Sequence, residues 1–224
     1  MTLKADYLGG IIYMAKKIQG EDGKTYVQKK PFYKRVWFWT LVIILIFIGV
    51  GVAGNGGSSS KDDNNKVSYA NYKKIDLSGD NGSTKEDVQK LFGKKPENTS
   101  TQEIEGVKTD TQTWENVKNG DTGSNITVGF DDGHAVNKVI TGLKVDRKSQ
   151  ITLADYDSLQ TGATKDDVLK KFGKPNGYTH TDILGKVSED WSYTSKIKGD
   201  TGANFIISFD ENGVVNNKTQ TSMK

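Results

Sequence analysis

The chain has 224 residues, with 31 Lys and Arg against 28 Asp and Glu, two His and no Cys. The absence of cysteine excludes disulfides, a thiol nucleophile and cysteine-ligated metal together. The first 53 residues hold 8 basic and 3 acidic side chains and leave 23 against 25 for the rest, so the remainder has no basic stripe suited to nucleic acid.

In chain order, residues 1–35 form a basic segment. Within it, Ile11 to Met14 and Thr25 to Val27 flank Gly20-Glu21-Asp22-Gly23, a pattern that predicts a small hairpin or loose loop. Residues 36–53 carry no charge. As a helix they would rise roughly 27 Å, close to the roughly 30 Å hydrocarbon core of a bilayer, and they are expected to be a transmembrane helix. Lys16, Lys17, Lys24, Lys29, Lys30, Lys34 and Arg35 precede the run, whereas Lys61 and Lys66 beyond it are offset by Asp62 and Asp63. Positive charge stays inside, so residues 1–35 are expected in the cytoplasm and the C-terminal part outside the cell. Trp37 and Trp39 suit the headgroup level. A cleaved signal peptide is the competing reading, with small residues at Gly51 and Ala53, but the basic region and the apolar run are both long for one. Residues 54–68 begin Gly-Asn-Gly-Gly-Ser-Ser-Ser and read as a flexible linker.

From residue 69 the chain repeats itself. Thr84-Lys85-Glu86-Asp87-Val88 returns as Thr164-Lys165-Asp166-Asp167-Val168, and Phe92-Gly93 as Phe172-Gly173, each pair with a proline soon after. Trp114 returns as Trp191, Gly120-Asp121-Thr122-Gly123 as Gly199-Asp200-Thr201-Gly202, and Phe130-Asp131 as Phe209-Asp210. The offsets stay between 77 and 80, so one duplicated unit is expected at 69–148 and again at 149–224. Each unit opens with a short amphipathic segment. A second helix follows, begun by a Thr-x-x-Asp capping box and stopped by glycine. Alternation at Ile126, Val128 and Phe130, and at Phe205, Ile207 and Phe209, predicts strands, with Gly-containing turns between them. The expected fold class is α+β: an N-terminal single transmembrane helix, then two tandem repeats, each of two short helices plus a four-stranded antiparallel sheet with one face covered by the helices.

A two-helix, four-strand unit that carries Thr-Lys-Glu-Asp-Val, Phe-Gly-Lys-Pro, a central Trp and a Phe-Asp-x-Gly turn, twice in tandem, resembles the β-lactamase-inhibitor-protein-like (BLIP-like) families. It is also similar to the single-copy domain of the SmpA/OmlA lipoproteins. The resemblance covers about residues 69–224 and implies protein-binding modules whose joined sheets form a concave gripping surface. The family's inhibitors are freely secreted, whereas this chain reads as tethered.

Asp121-Thr122-Gly123 and Asp200-Thr201-Gly202 each match the aspartic-protease signature, which needs two carboxylates sharing a proton. Their approaches, Val117-Lys118-Asn119-Gly120 and Ile197-Lys198-Gly199, are polar turns rather than buried strands, so hairpin chemistry is the expected role. Asp76 through Asp87 imitates a calcium loop but has Asn81 at its sixth place, and a polar turn before a helix is expected instead. His134 and His180 stand at unrelated places in the repeat and read as surface residues, so neither a metal site nor a cofactor is expected. Trp114, Trp191, Tyr178 and Tyr193 are either core or binding anchors. The expected partner-binding surface is the open sheet face with the hairpin tips at Asp121 and Asp200, with Tyr193, Tyr178, Trp114 and Trp191 as candidate anchors. The function read from the sequence is a membrane-anchored, extracytoplasmic protein-binding module of the bacterial envelope, inhibitor-like, with an unknown envelope or extracellular protein as partner and no nucleic acid. The alternatives are an aspartic-type envelope protease and a sensor that signals to the basic tail.

Overall fold

The computed structural model describes residues 17–19, 25–27 and 65–224, except positions 79, 105–106 and 184. The chain divides into two compact units, Met1–Val52 and Ala53–Lys224. In the first, strand β1 (Lys17–Gln19) pairs antiparallel with β2 (Thr25–Val27), while the intervening Gly20 to Gly23 lies outside the described residues. The arm expected at 11–14 lies outside the described residues, as does the predicted span 36–53. No helix among the described residues is long and apolar enough to cross a membrane.

The second unit runs α1 (Tyr69–Tyr72), α2 (Lys85–Phe92), β3 (Asn98–Ile104), β4 (Val107–Glu115), β5 (Gly120–Asp131) and β6 (His134–Leu143). It then repeats the order with α3 (Leu153–Asp157), α4 (Lys165–Phe172), β7 (Gly177–Ile183), β8 (Lys186–Tyr193), β9 (Gly199–Phe209) and β10 (Val215–Met223). Local chemistry sets the helix ends. The Thr84 hydroxyl accepts from the Asp87 N–H while the Asp87 carboxylate accepts from the Thr84 N–H, and Thr164 with Asp167 does the same. Gly93, at φ 69°, stops α2 in the left-handed region that a side chain disfavours. Val88 and Phe92 on α2, and Val168 and Phe172 on α4, are the buried residues of each helix.

The strands correct the expected fold. Instead of two four-stranded sheets there is one eight-stranded antiparallel sheet, ordered β10-β9-β8-β7-β6-β5-β4-β3. The last strand of the first repeat pairs with the first strand of the second, from Asn137 opposite Thr181 to Ile140 opposite Tyr178. Two isolated meanders would leave the β6 and β7 edges with unpaired N–H and C=O groups, and pairing them satisfies both. The helices are short, at 4, 8, 5 and 8 residues, and serve as a cover on one face of this sheet.

That face holds the core. One register row crosses from Trp114 through Ile126, Ile140, Tyr178 and Trp191 to Ile207. Phe92 from α2 meets Trp114 edge-on at 5.0 Å between ring centroids, and Phe172 from α4 meets Phe205 at 5.1 Å. Residues from both halves belong to one hydrophobic cluster.

Candidate functional site

All four candidate aromatics lie on the helix-covered face. Trp114 is fully buried and its indole N–H donates to the Lys94 carbonyl at 3.1 Å. Trp191 packs on Phe209 and Tyr178, and its N–H is taken by Glu189. Tyr193 is fully buried, stacks on Phe205 at 4.5 Å and donates to the Gly173 carbonyl. Tyr178 stacks on Tyr69 at 5.0 Å; burial first, and the Tyr69 hydroxyl second, push its ionisation far above the ordinary tyrosine value. These rings build the core and present nothing to a partner. Asp121 and Asp200 are exposed, and the Lys224 ammonium pairs with Asp200.

β5 and β9 run in the same direction with three strands between them, so the two Asp-Thr-Gly segments lie on one rim, roughly 19 Å apart at about 4.8 Å per strand. Two carboxylates at that spacing cannot share a proton, and the aspartic-protease dyad is not assembled within one chain. The calcium-like loop folds as a turn before α2: the Ser83 N–H donates to the Asp76 carbonyl, the Ser78 N–H donates to the Ala135 carbonyl, and the Asp87 carboxylate accepts from the Thr84 N–H and hydroxyl.

His180 departs from its expected surface role. It sits on β7 beside the join of the two repeats, with Nδ1 2.8 Å from the Tyr72 hydroxyl and Nε2 3.4 Å from Glu189. The Tyr72 hydroxyl also reaches the carbonyls of Lys138 and Tyr178 at 3.1 and 3.0 Å. Glu189 accepts from Lys165 and Trp191 as well. Burial alone would raise the Glu189 carboxyl, but the hydrogen bonds from His180, Lys165 and Trp191 outweigh it and hold its pKa at about 2. This chain of polar groups, all on the helix side, ties α1 and α4 to the central strands.

The opposite face carries no described helix. Its side chains follow from register. One row crosses all eight strands as Asn98, Thr113, Thr127, Val139, Thr179, Asp190, Ser208 and Asn217. The next runs Ser100, Thr111, Gly129, Asn137, Thr181 and Ser188. Neither row contains an aromatic, a Lys or an Arg, and apart from Val139 their side chains are Gly, Ser, Thr, Asn and Asp. The floor is shielded: Thr127 is 1% exposed, Asn137 and Thr181 4%, and Thr179 5%. The face thus has low relief, closed to solvent at its centre and exposed at its margins, where Asn98, Ser100, Ser188 and Asn217 present hydroxyl and amide groups. Period-two alternation in the sequence separates these residues from the core residues, which is the one signal that could have found them.

Comparison with known proteins agrees with this architecture. A family model described as Domain of Unknown Function with solved-structure structure (DUF3862) matches residues 61–223. A solved structure from Streptococcus mutans, provisionally described as a beta-lactamase inhibitor protein, is similar with a TM-score of 0.53 and 22% identity, over 73% of this chain and 100% of that one. Among curated proteins, none matches this chain.

Proposed function

We propose, from the premise that this chain belongs to the DUF3862 domain family, that it is an inhibitor-like protein-binding module that docks on another protein with the sheet face on which no described helix lies. The observation that carries the reading is the pair of register rows on that face, a continuous low-relief floor made by joining two repeats. A hydrophobic-core row and a small-polar row sit back to back on the same strands, so one face holds the fold and the other is free of that duty. The solved neighbour's description as an inhibitor supports a binder over a catalyst.

Location belongs to the same proposal. The uncharged run 36–53, with basic residues before it, supports a cell-envelope protein held at the membrane with its C-terminal part outside. Protease accessibility on intact cells tests this, and a C-terminal part protected until lysis would refute it. The docking reading is tested by capture from cell envelopes with a soluble 66–224 fragment and its Ser188→Trp variant, because Ser188 is an exposed member of the second row. The unaltered fragment retains one protein reproducibly and the bulky variant, equally folded, retains none. Equal capture by both would refute the sheet face as the docking surface.

A further inference from the structure

We propose that a second copy of this chain pairs with the outer edge of β3, antiparallel and about a twofold axis perpendicular to the sheet at Thr101, so that two eight-stranded sheets become one. Among the described residues, β3 has β4 on one side and no strand on the other. Its residues Asn98 to Glu103 are all exposed. An open edge presents alternate N–H and C=O groups to any chain that can align with them. Edges that must stay single carry lysine, proline or a bulge, and β3 has none of these. It reads Asn-Thr-Ser-Thr-Gln-Glu-Ile and keeps an unbroken register from Asn98 opposite Thr113 to Ile104 opposite Val107.

The edge is also held ready. The Thr101 hydroxyl donates to one oxygen of the Asp110 carboxylate, Lys85 of α2 pairs with the other, and the Asn98 Nδ2 donates to Glu115 at 3.1 Å. Two residues of β3 are thereby tied to β4 before any partner arrives, which lowers the ordering cost of association. The chain already uses the same kind of join on a shorter run. β7, the counterpart of β3 in the second repeat, is accepted by β6 from Asn137 opposite Thr181 to Ile140 opposite Tyr178.

The residues of β3 fit their own copy. With Thr101 opposite Thr101, Ser100 faces Gln102 and Thr99 faces Glu103, each twice by symmetry. Thr101 is the middle residue of the strand, so this register pairs all of it. Glu103 is the strand's one charged residue, and its two copies stand roughly 13 Å apart along the edge, so no like charges meet. Moving the centre back to Ser100 would instead set Glu103 against Glu97 of the other copy. Opposite residues share a face, so the sheet faces on which no described helix lies run on from one copy to the other and stay open.

The chain has no cysteine, so single introduced cysteines report the pairing in the full-length protein without background. Directly opposite residues of antiparallel strands have Cα atoms about 4.5–5.5 Å apart, within disulfide reach. Under mild oxidation Thr101→Cys is expected to form a covalent dimer. Thr99→Cys and Glu103→Cys are expected to stay monomeric alone and to cross-link with each other when mixed, a pair that keeps the Thr101 bond to Asp110 and tests the register independently. Added to Thr101→Cys, Thr99→Lys is expected to speed the cross-link about tenfold over Thr99→Glu, because the lysine faces Glu103 twice and the glutamate repels it twice. Monomer at every position, or equal cross-linking at all three, overturns the proposal. A Thr101→Cys link formed only with Thr219→Cys on β10 overturns it in favour of a head-to-tail joint, and equal rates for Thr99→Lys and Thr99→Glu overturn the register. Thermal midpoints unchanged from the parent exclude misfolding as the cause.

Discussion

Glu189 gathers His180, Lys165 and the Trp191 indole around one carboxylate, and the consequence is a defined acid sensitivity. Its folded pKa of about 2 lies below the ordinary value of 4.5, so its stabilisation is complete above pH 4.5 and is lost as pH falls through 2. Glu189→Gln is therefore expected to lower stability by roughly 1–3 kcal/mol at neutral pH, less what solvent screening removes, and the gap between variant and parent should close between pH 4.5 and 2 in denaturant titrations. A gap independent of pH would contradict the assignment. Tyr72→Phe removes the hydroxyl that touches Lys138, Tyr178 and His180, and a loss of about 1–2 kcal/mol is expected in the same assay. At this scale the sequence was least informative: alternation sorts Trp114 and Trp191 from Thr113 and Ser192, but not which face the helices will cover. His180 looked solitary because its partners are 108 residues upstream and across a strand pair.

At the scale of single elements, the helices were the most legible part of the chain. Capping is local, and the Thr-x-x-Asp and terminal glycine signals act within one turn. Thr164→Ala should cost α4 its cap and lower the thermal midpoint by about 2–4 °C, measured by circular dichroism. Strand alternation was legible too, but strand length was not, because Asp121-Thr122-Gly123 belongs to β5 although it reads as a turn. Its register shift between Gly120 and Asn125 is a tertiary feature. Gly177, which opens β7, shows what propensity cannot: a methyl there would lie 2.6 Å from the Ile140 carbonyl and 2.6 Å from the Ser192 hydroxyl. Gly177→Ala is expected to destabilise by about 1–3 kcal/mol, and a neutral effect would mean that the two strands can part without cost.

For the whole molecule, the join of β6 to β7 makes the repeats one cooperative body. The duplication was visible in the sequence, but the join was not, because nothing local to either repeat says which edge strand will accept the other. Thermal unfolding is expected to give a single transition, with amide exchange of β5 and β9 opening together. Separate transitions for the two halves would show that the shared sheet carries little coupling. The same join builds the candidate face, since both register rows run from the strands of one repeat into those of the other.

The manner of that join has a further consequence for growth. A closing strand of one repeat accepts an opening strand of the next, so the rims left over, β3 and β10, are an opening and a closing strand of the same kind. The molecule thus carries at its two ends the complementary halves of a joint it already uses inside, the arrangement from which head-to-tail fibres are made. What opposes it is written into the last strand. Register shifts between Val215 and Asn217 and between Thr221 and Met223 break the ladder of β10, so its outer edge is a poor template for another copy's β3. Straightening those bulges would turn a terminated pair of repeats into a seed for linear polymers.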